Sequence, residues 1–196
     1  MSKVACVVLA AGSSRRMGQP KLLLHLGGKS LLRRVVETAL GICDEVVVVV
    51  GPEADRMQAE LSGLPVRVVE NPEHAQGLST SLRRGIEAVE DAEAVLLLLG
   101  DQPALTPQHL QRLVEIWRRE GVRIVACAYR GTVGPPALFH RALFSELKAL
   151  QGDVGAKPVL EAHGSEAVFV PLEEAALDVD TPEDWARVRE ALEPLQ

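Results

Sequence analysis

The sequence predicts a three-layer α/β/α fold built around a mostly parallel β-sheet. Two short runs, Glu45–Val50 and Ala94–Leu99, are almost wholly aliphatic, which is typical of parallel strands that are buried on both faces. Segments with a helical spacing of apolar residues separate such runs, as between Leu31 and Leu40. Strands and helices alternate in this way through about residue 128, and that order favours a parallel sheet with helices on both sides.

The remaining elements follow from the same signals. Further strands are predicted at residues 4–9, 66–69, 122–128, 167–170 and, from its alternating pattern, 177–180. Further helices are predicted at residues 53–61, 79–89, 107–119, 141–150 and from Thr181 to about 192. The helix at 107–119 is the clearest, because Thr106 is a favourable N-cap and Pro107 suits the first helical position. Residues 130–136 and 151–158 are predicted loops, and one domain is expected over residues 1–196, with the segment 130–170 added beside the sheet.

The composition excludes several classes of protein. With 47% hydrophobic and 24% charged residues, the chain can fill a core and stay soluble. A net charge of −6 and a pI near 5.4 argue against a general nucleic-acid-binding protein, which would carry a basic surface. The first apolar run, Val4–Leu9, is too short to span a membrane and lacks the features of a signal peptide. The cysteines and histidines show no zinc-ligand spacing. We therefore expect a cytoplasmic protein that binds neither membranes nor nucleic acid.

The first strand leads directly into a small, basic loop, Ala10–Lys21. The glycine and two serines at residues 12–14 let backbone amides approach phosphate oxygens and add hydroxyl donors. Arg15, Arg16 and Lys21 place three cations within seven residues of a chain that is acidic as a whole. Open α/β sheets bind ligands at the carboxyl ends of their strands. The loop is therefore a predicted triphosphate-binding site.

Two common nucleotide-binding motifs do not fit this loop. A Rossmann dinucleotide fingerprint needs G-x-G-x-x-G, which Ala10-Ala11-Gly12 does not match. A P-loop needs G-x-x-x-x-G-K-[ST], and although Gly28-Lys29-Ser30 supplies its end, Leu23 stands in place of the first glycine. The motifs thus indicate neither a Walker ATPase nor an ordinary dehydrogenase.

Acidic residues follow two of the predicted strands. Asp101 comes directly after the strand at 94–99, so it should lie at the same sheet edge as the basic loop. Magnesium binds through one or two carboxylates together with phosphate oxygens and water, which suits Asp101. Asp178 or Asp180 should supply a second ligand, since both would share one face of the short strand at 177–180. We predict Mg²⁺ at Asp101 and Asp180, and favour this over a capping role of Asp180 beside Thr181.

The motifs, taken in order, resemble those of the MobA-like nucleotidyltransferases, which complete the molybdenum cofactor by joining molybdopterin to a nucleotide. The blocks that carry the resemblance are Leu9–Gly18 with Pro20-Lys21, Asn71-Pro72, Gln76–Ser79, Gly100–Pro103, Gly134–Pro136, Gly152–Lys157 and Asp178–Pro182. They cover nearly the whole chain. The resemblance implies a Rossmann-like nucleotide-diphospho-sugar transferase fold. The first block is shared with many sugar and alditol nucleotidyltransferases, whereas the later blocks are narrower.

Within this family, the chain resembles the molybdopterin cytidylyltransferases. Guanylyl enzymes usually have a second glycine in place of Ala11 and methionine in place of Gln102. The resemblance therefore implies CTP as the nucleotide. The acceptor loop departs from the pattern at Pro135, where cytidylyl enzymes often have histidine, so the acceptor is less closely defined than the reaction.

The resemblance also assigns roles to individual residues. The catalytic residues would be Lys21, Arg16 and Asp101. The nucleotide-binding residues would be Leu9, Ala10, Ala11, Gly12, Ser13, Ser14, Arg15, Arg16, Lys21, Asn71, Gln76, Gly77, Ser79, Ser81, Gly100, Asp101 and Gln102. The acceptor-binding residues would be Gly134, Pro135, Pro136, Gly152, Asp153, Gly155 and Lys157.

The resulting hypothesis is an in-line transfer in which an acceptor phosphate oxygen attacks the α-phosphorus of CTP and pyrophosphate leaves. Residues 12–14 and Arg16 would hold the β- and γ-phosphates, and Lys21 the α-phosphate and the attacking phosphate. Magnesium on Asp101, helped by Asp180, would bridge the α-phosphate and the acceptor. The segment 76–81 would lie by the base and ribose and offer free amides at a helix N-terminus.

Several alternatives stay open from the sequence. The same chemistry could use GTP, or a sugar or alditol phosphate as the acceptor. A non-catalytic nucleotide-binding maturation factor for a molybdenum enzyme would tolerate the loss of Asp101 or Lys21, and both are present. A dehydrogenase is the remaining alternative. The implied partners are small-molecule substrates and, in passing, a molybdenum enzyme.

Overall fold

Nine β-strands form one large sheet and a separate hairpin in the computed structural model, which describes residues 2–193. The strands are β1 (Val4–Ala10), β2 (His25–Leu26), β3 (Lys29–Ser30), β4 (Glu45–Val50), β5 (Arg67–Glu70), β6 (Ala94–Leu99), β7 (Ile124–Tyr129), β8 (Thr132–His140) and β9 (Ala167–Pro171). The large sheet has seven strands in the order β5-β4-β1-β6-β8-β7-β9. Strands β2 and β3 pair antiparallel as the hairpin. This strand order places β1 and β6 side by side at the centre.

Helices cover both faces of the large sheet. The α-helices in the described part of the chain are α1 (Leu31–Leu40), α2 (Ala54–Glu60), α3 (Leu78–Glu87), α4 (Pro107–Glu120), α5 (Phe144–Ala149), α6 (Lys157–Ala162) and α7 (Pro182–Leu192). Short 3₁₀ turns lie at Arg15–Met17, Lys21–Leu23, His74–Gln76, Arg141–Leu143, Gly164–Glu166 and Glu173–Ala176. Among residues 2–193, no helix has both the length and the apolar character needed to cross a membrane.

The core follows from the alternation of side chains along the central strands. In β1, Val4, Cys6 and Val8 face one side, and Ala5 and Val7 face the other. The first side packs against α1, α2 and α4, and the second against α3, α5 and α6. Strand β1 is buried along its whole length, as its unbroken apolar run predicted. The predicted three-layer α/β/α architecture with a mostly parallel sheet is confirmed.

The prediction missed β8, which runs antiparallel between β6 and β7. The glycines and prolines of residues 130–136 predict a loop, and proline cannot donate to a β-ladder. The structure accommodates them at an irregularity: Ala126 pairs with Ala137, but the next residue, Cys127, pairs with Gly134. Pro135 and Pro136 therefore have no paired residue on β7, as in a β-bulge.

Two further predictions were wrong near the carboxyl end. Residues 177–180 form no strand; an irregular segment joins the 3₁₀ turn Glu173–Ala176 to α7. Helix α6 starts at Lys157, inside the predicted loop 151–158, and its signal was Pro158 at the beginning of an apolar helical turn. The other predicted strands and helices agree with the structure to within a few residues at their ends.

Candidate active site

The basic loop and Asp101 emerge next to each other from the carboxyl edge of the sheet. Strands β1 and β6 are parallel neighbours with Leu9 opposite Leu99, so the segments that follow them start at the same level. The amide of Gly100 donates to the carbonyl of Leu9 over 3.2 Å. A Cβ atom at residue 100 would lie 2.9 Å from Leu22, so glycine lets the two segments pack closely.

Local hydrogen bonds shape the basic loop. Ser14 adopts the left-handed conformation with φ 50°, which is uncommon outside glycine. Its hydroxyl accepts from the amide of Lys21 over 3.1 Å, and its carbonyl accepts from the amide of Met17 over 3.0 Å. These bonds curl residues 14–21 so that Lys21 turns back toward the sheet, while Arg15 and Arg16 remain exposed.

Lys21 lies between two carboxylates that are far apart in the sequence. Its Nζ atom is 2.6 Å from Asp101 Oδ2 and 2.9 Å from Asp180 Oδ1. The Lys21 and Asp101 side chains are only 16% and 12% exposed, whereas that of Asp180 is 33% exposed. Arg16 reaches Asp180 from the solvent side, with Nη2 3.2 Å from Oδ1. The structure thus unites the three predicted catalytic residues and the predicted second metal ligand in one ionic cluster.

A small apolar cluster explains how Asp180 reaches this position. Val179 is fully buried and packs with Met17 of the basic loop and Val188 of α7. The N-terminus of α7 is capped by Thr181 and Asp184. The Thr181 hydroxyl accepts from the amide of Asp184, and the Asp184 carboxylate accepts from the amide of Thr181. The carboxylate of Asp180 is therefore not used in capping.

Asp178 occupies a different position from Asp180. The sequence prediction put both on one face of a strand, but that strand does not form. Asp178 Oδ1 lies 3.6 Å from the guanidinium of Arg130, whereas Asp180 contacts Lys21 and Arg16. Of the two alternatives for a second carboxylate beside Asp101, the geometry selects Asp180.

Burial and charge shift the protonation equilibria of the cluster. Burial raises the pKa of Asp101, the nearby Asp180 and Asp178 raise it further, and the Lys21 ammonium opposes them. Burial alone would lower the pKa of Lys21, but Asp101 and Asp180 outweigh it and hold that pKa above its ordinary value. Lys21 is therefore a cation at neutral pH, held between two acidic groups.

A groove of about 480 Å³ runs from the basic loop to the start of α3. The predicted nucleotide-binding residues that line it are Ala11, Gly12, Ser13, Arg15, Gln76, Gly77 and Ser81. Leu78, within the predicted base and ribose segment 76–81, lines it as well, and so do His74 and Ala75, which were not predicted. Asp153, predicted to bind the acceptor, lines this groove as well.

The start of α3 is closed by the loop that contains Gly152. The amide of Leu78 donates to Asp153 Oδ1 over 3.1 Å, and the amide of Ser79 to the carbonyl of Gly152 over 3.3 Å. The prediction of free amides at this helix terminus was therefore wrong for both residues. A Cβ at Gly77 would lie 2.5 Å from the Gly152 oxygen, so the two loops meet as bare backbone.

Other predicted nucleotide-binding residues are buried behind the groove: Leu9, Ala10, Asn71, Ser79, Gly100 and Gln102. Asn71 braces α3, because its Nδ2 donates to the hydroxyls of Thr80 and Ser81, over 2.9 Å in each case. The side chain of Gln102 is bonded to three backbone groups of the protein. Asn71 therefore supports α3, whose first residues border the groove.

The predicted acceptor residues divide between two places. Lys157 lines a second groove, of about 660 Å³, with Gly131 and Thr132, and its Nζ lies 3.5 Å from the Thr132 hydroxyl. Tyr129, Glu161 and Glu173 line this groove too and were not predicted. Gly134 lies under the Tyr129 ring, where a Cβ would be 2.7 Å from Oη, and Pro135 and Pro136 follow it in β8. Gly152 and Asp153, in contrast, belong to the first groove and the start of α3, and Gly155 packs on Leu78.

A Rossmann-like α/β sheet with a glycine-containing basic loop after β1, and a carboxylate after the adjacent parallel strand, presents both at the edge where open α/β sheets bind ligands. The model of the MobA-like NTP transferase domain matches residues 6–168, and the chain belongs to that family. It is an enzyme of the nucleotidyltransferase class.

Known proteins resemble the chain over nearly its whole length. It is 34% identical to the purine catabolism protein PucB of Bacillus subtilis, over 95% of this chain and 96% of that one. It is 27% identical to the molybdenum cofactor cytidylyltransferase of Escherichia coli, over 97% of both. The crystal structure of Rv0371c from Mycobacterium tuberculosis superimposes with a TM-score of 0.83 at 31% identity, covering 96% of this chain and 98% of that one. A second structure of Rv0371c is a complex with manganese, and it superimposes with a TM-score of 0.76.

Proposed function

We propose that this nucleotidyltransferase transfers CMP from CTP to a molybdopterin-type phosphate acceptor and releases pyrophosphate. The observation that carries the proposal is the position of Lys21 between Asp101 and Asp180, beside a groove bordered by the basic loop. Similarity to a protein named molybdenum cofactor cytidylyltransferase supports the choice of nucleotide and acceptor. The proposal treats the chain as a single catalytic domain that works in the cytoplasm.

The carboxylate pair fits a divalent cation. The carboxylates of Asp101 and Asp180 converge on one point. The Lys21 ammonium lies at this point, with Nζ 2.6 Å from Asp101 Oδ2 and 2.9 Å from Asp180 Oδ1. No cluster of three or more acidic, histidine or cysteine residues suited to a metal occurs within residues 2–193, so phosphate oxygens and water would complete the coordination. Magnesium prefers such a mixture of few carboxylates, phosphates and waters. When bound, the ion would neutralise charge on the reacting phosphates.

The residues of the basic loop supply the contacts to the triphosphate. The backbone at Gly12 and Ser13 borders the groove, and Arg15 adds a cation at its rim. Arg16 is 71% exposed and free to swing from Asp180 to a phosphate without loss of buried contacts. Such contacts position the α-phosphorus for in-line attack and offset its negative charge.

Lys21 acts at the point of bond formation in this proposal. With substrates bound, its ammonium would donate to the α-phosphate and to the attacking phosphate oxygen. The attacking oxygen forms a bond to the α-phosphorus, and the bond to the bridging oxygen of pyrophosphate breaks. A phosphate monoester is already ionised at neutral pH, so the chain needs no general base for this attack.

One assay tests the nucleotide and the class of acceptor together. The purified protein is incubated with magnesium and each of the four nucleoside triphosphates in turn. The acceptor is molybdopterin in one series and a sugar or alditol phosphate in a parallel series, and pyrophosphate release is measured. The proposal expects release with CTP. Asp101→Asn should abolish it, and Asp91→Asn, a change at an exposed aspartate on the opposite edge of the sheet, should not.

The other outcomes separate the alternatives. Release mainly with GTP would keep the reaction and overturn the assignment of CTP. Release only with a sugar or alditol phosphate would keep the transferase and overturn the acceptor. A folded protein that releases no pyrophosphate with any acceptor, yet binds nucleotide, would favour the maturation-factor alternative.

A further inference from the structure

Gln102 is enclosed by protein, and both hydrogens of its side-chain amide nitrogen are bonded to protein carbonyls. It is 1% exposed and directly follows Asp101. Its Oε1 accepts from the amide of Leu99 over 3.4 Å, and its Nε2 donates to the carbonyls of Pro135 and Ala175, each over 2.9 Å. Both donors of this side chain are therefore taken by the protein, and its burial keeps it out of contact with a nucleotide.

The three partners of Gln102 belong to three segments of the proposed site. Leu99 ends β6 just before Asp101, and Pro135 lies in the β8 segment of the predicted acceptor side. Ala175 lies five positions before Asp180, in the 3₁₀ turn that precedes it. One buried side chain therefore links the segment of Asp101 with the segments of Asp180 and of the acceptor strand.

No backbone hydrogen bond of the β6–β8 ladder joins the two strands at Pro135 and Pro136. The ladder between β6 and β8 stops at Leu97 and Ala137, short of the prolines, and prolines have no amide hydrogen to extend it. The Pro135 carbonyl instead accepts from side chains, from Gln102 and from the Tyr129 hydroxyl, over 2.9 Å in each case. Gln102 thus supplies a bond where the sheet cannot.

We propose that Gln102 is a positioning residue, which holds Asp180 opposite Asp101 and fixes the acceptor strand beside them without touching the nucleotide. The effect of Gln102 on cation binding rests on the proposed function, whereas the hydrogen bonds of Gln102 are present whether or not a cation binds. Groups that orient metal-binding carboxylates typically change metal affinity by about 10- to 100-fold when they are removed.

The test compares Gln102→Met with a matched control, Gln111→Met, at an exposed glutamine of α4. Mn²⁺ binding to the nucleotide-free protein is measured by electron paramagnetic resonance of the free ion. We expect the Kd for Mn²⁺ to rise about tenfold in Gln102→Met and to stay within about twofold in Gln111→Met. Val36→Ala, a buried change in α1, should lower the Tm without changing the Kd, which separates positioning from simple loss of stability.

Two further measurements keep this proposal separate from the proposed function. Asp101→Asn should abolish Mn²⁺ binding; if the wild-type protein and Asp101→Asn bind alike, the cation site is wrong. A crystal structure of Gln102→Met then decides the positioning role alone, and we expect the contact of 2.9 Å between Lys21 and Asp180 to be lost. An unchanged contact, or wild-type Mn²⁺ affinity in Gln102→Met with an active cation site, would overturn the proposal.

Discussion

Replacing Lys21 with methionine should destabilise the nucleotide-free protein, because the buried Asp101 loses its cationic partner and Asp180 loses one of two. Removal of one member of a buried ion pair costs about 3–5 kcal/mol, since the other charge stays buried and unpaired. Asp180 is 33% exposed and keeps Arg16 at 3.2 Å, so water and the guanidinium compensate part of the loss. We therefore expect the lower end of the range, about 3 kcal/mol. In a chain of 196 residues this lowers the Tm by about 6–12 °C.

A double-mutant cycle measures this effect. The wild-type protein, Lys21→Met, Asp101→Asn and the double variant are unfolded thermally in EDTA at neutral pH, with circular dichroism as the signal. The double variant should recover most of the stability lost in Lys21→Met, because it removes the unpaired charge together with its partner. Lys29→Met, at a half-exposed lysine paired with Glu37, is the control and should change stability by less than about 1 kcal/mol. Strictly additive effects in the cycle, or an unchanged Tm for Lys21→Met, would refute this account of the ionic cluster.

Three further predictions follow from the same structure. The pKa of Lys21 in the folded protein lies above its ordinary value of 10.5, so the stabilisation by Lys21 is complete below pH 10.5 and is lost as the pH rises through the folded-state pKa. The Tm difference between wild type and Lys21→Met should therefore shrink when unfolding is measured at alkaline pH. A constant difference would contradict the ion pairs. Gly77→Ala places a Cβ 2.5 Å from the Gly152 oxygen, at a residue with φ 117°. We therefore expect the free energy of unfolding in urea to fall by about 2 kcal/mol or more and the KM for the nucleotide to rise. The control Gly41→Ala has open space around its Cβ and should cause neither change. Asn71→Ala removes two donors beneath α3 and should cost about 1–3 kcal/mol in urea unfolding; a wild-type midpoint would show that these bonds contribute nothing.

Much of the candidate site could be predicted from local sequence. A basic, glycine-containing loop after a buried strand and an aspartate after another had to meet at one edge, since parallel strands present their carboxyl ends on the same side. The structure brings Lys21 and Asp101 together over 2.6 Å. Asp180 was favoured over Asp178 on the basis of a strand that does not form. Its position beside Lys21 depends instead on how Val179 packs against Met17.

The sequence predicted least well where backbone pairing departs from local preference. Pro135 and Pro136 indicated a loop, but the irregular pairing of β8 with β7 leaves both residues unpaired and lets the strand pass between β6 and β7. The start of α3 was expected to offer free amides, yet a loop more than seventy residues later in the chain binds them through Asp153. Neither the irregular pairing of β8 nor the hydrogen bond to Asp153 is indicated by the local sequence around it.

Apolar periodicity and the chemistry of glycine, lysine and aspartate act over a few residues. Local sequence is therefore sufficient to specify the three layers, the parallel strands and the basic loop. The tertiary structure decided which carboxylate completes the ionic cluster, which loop covers the start of α3, and that Gln102 faces protein rather than ligand. These outcomes depend on contacts between segments far apart in the chain, whose packing no local pattern specifies.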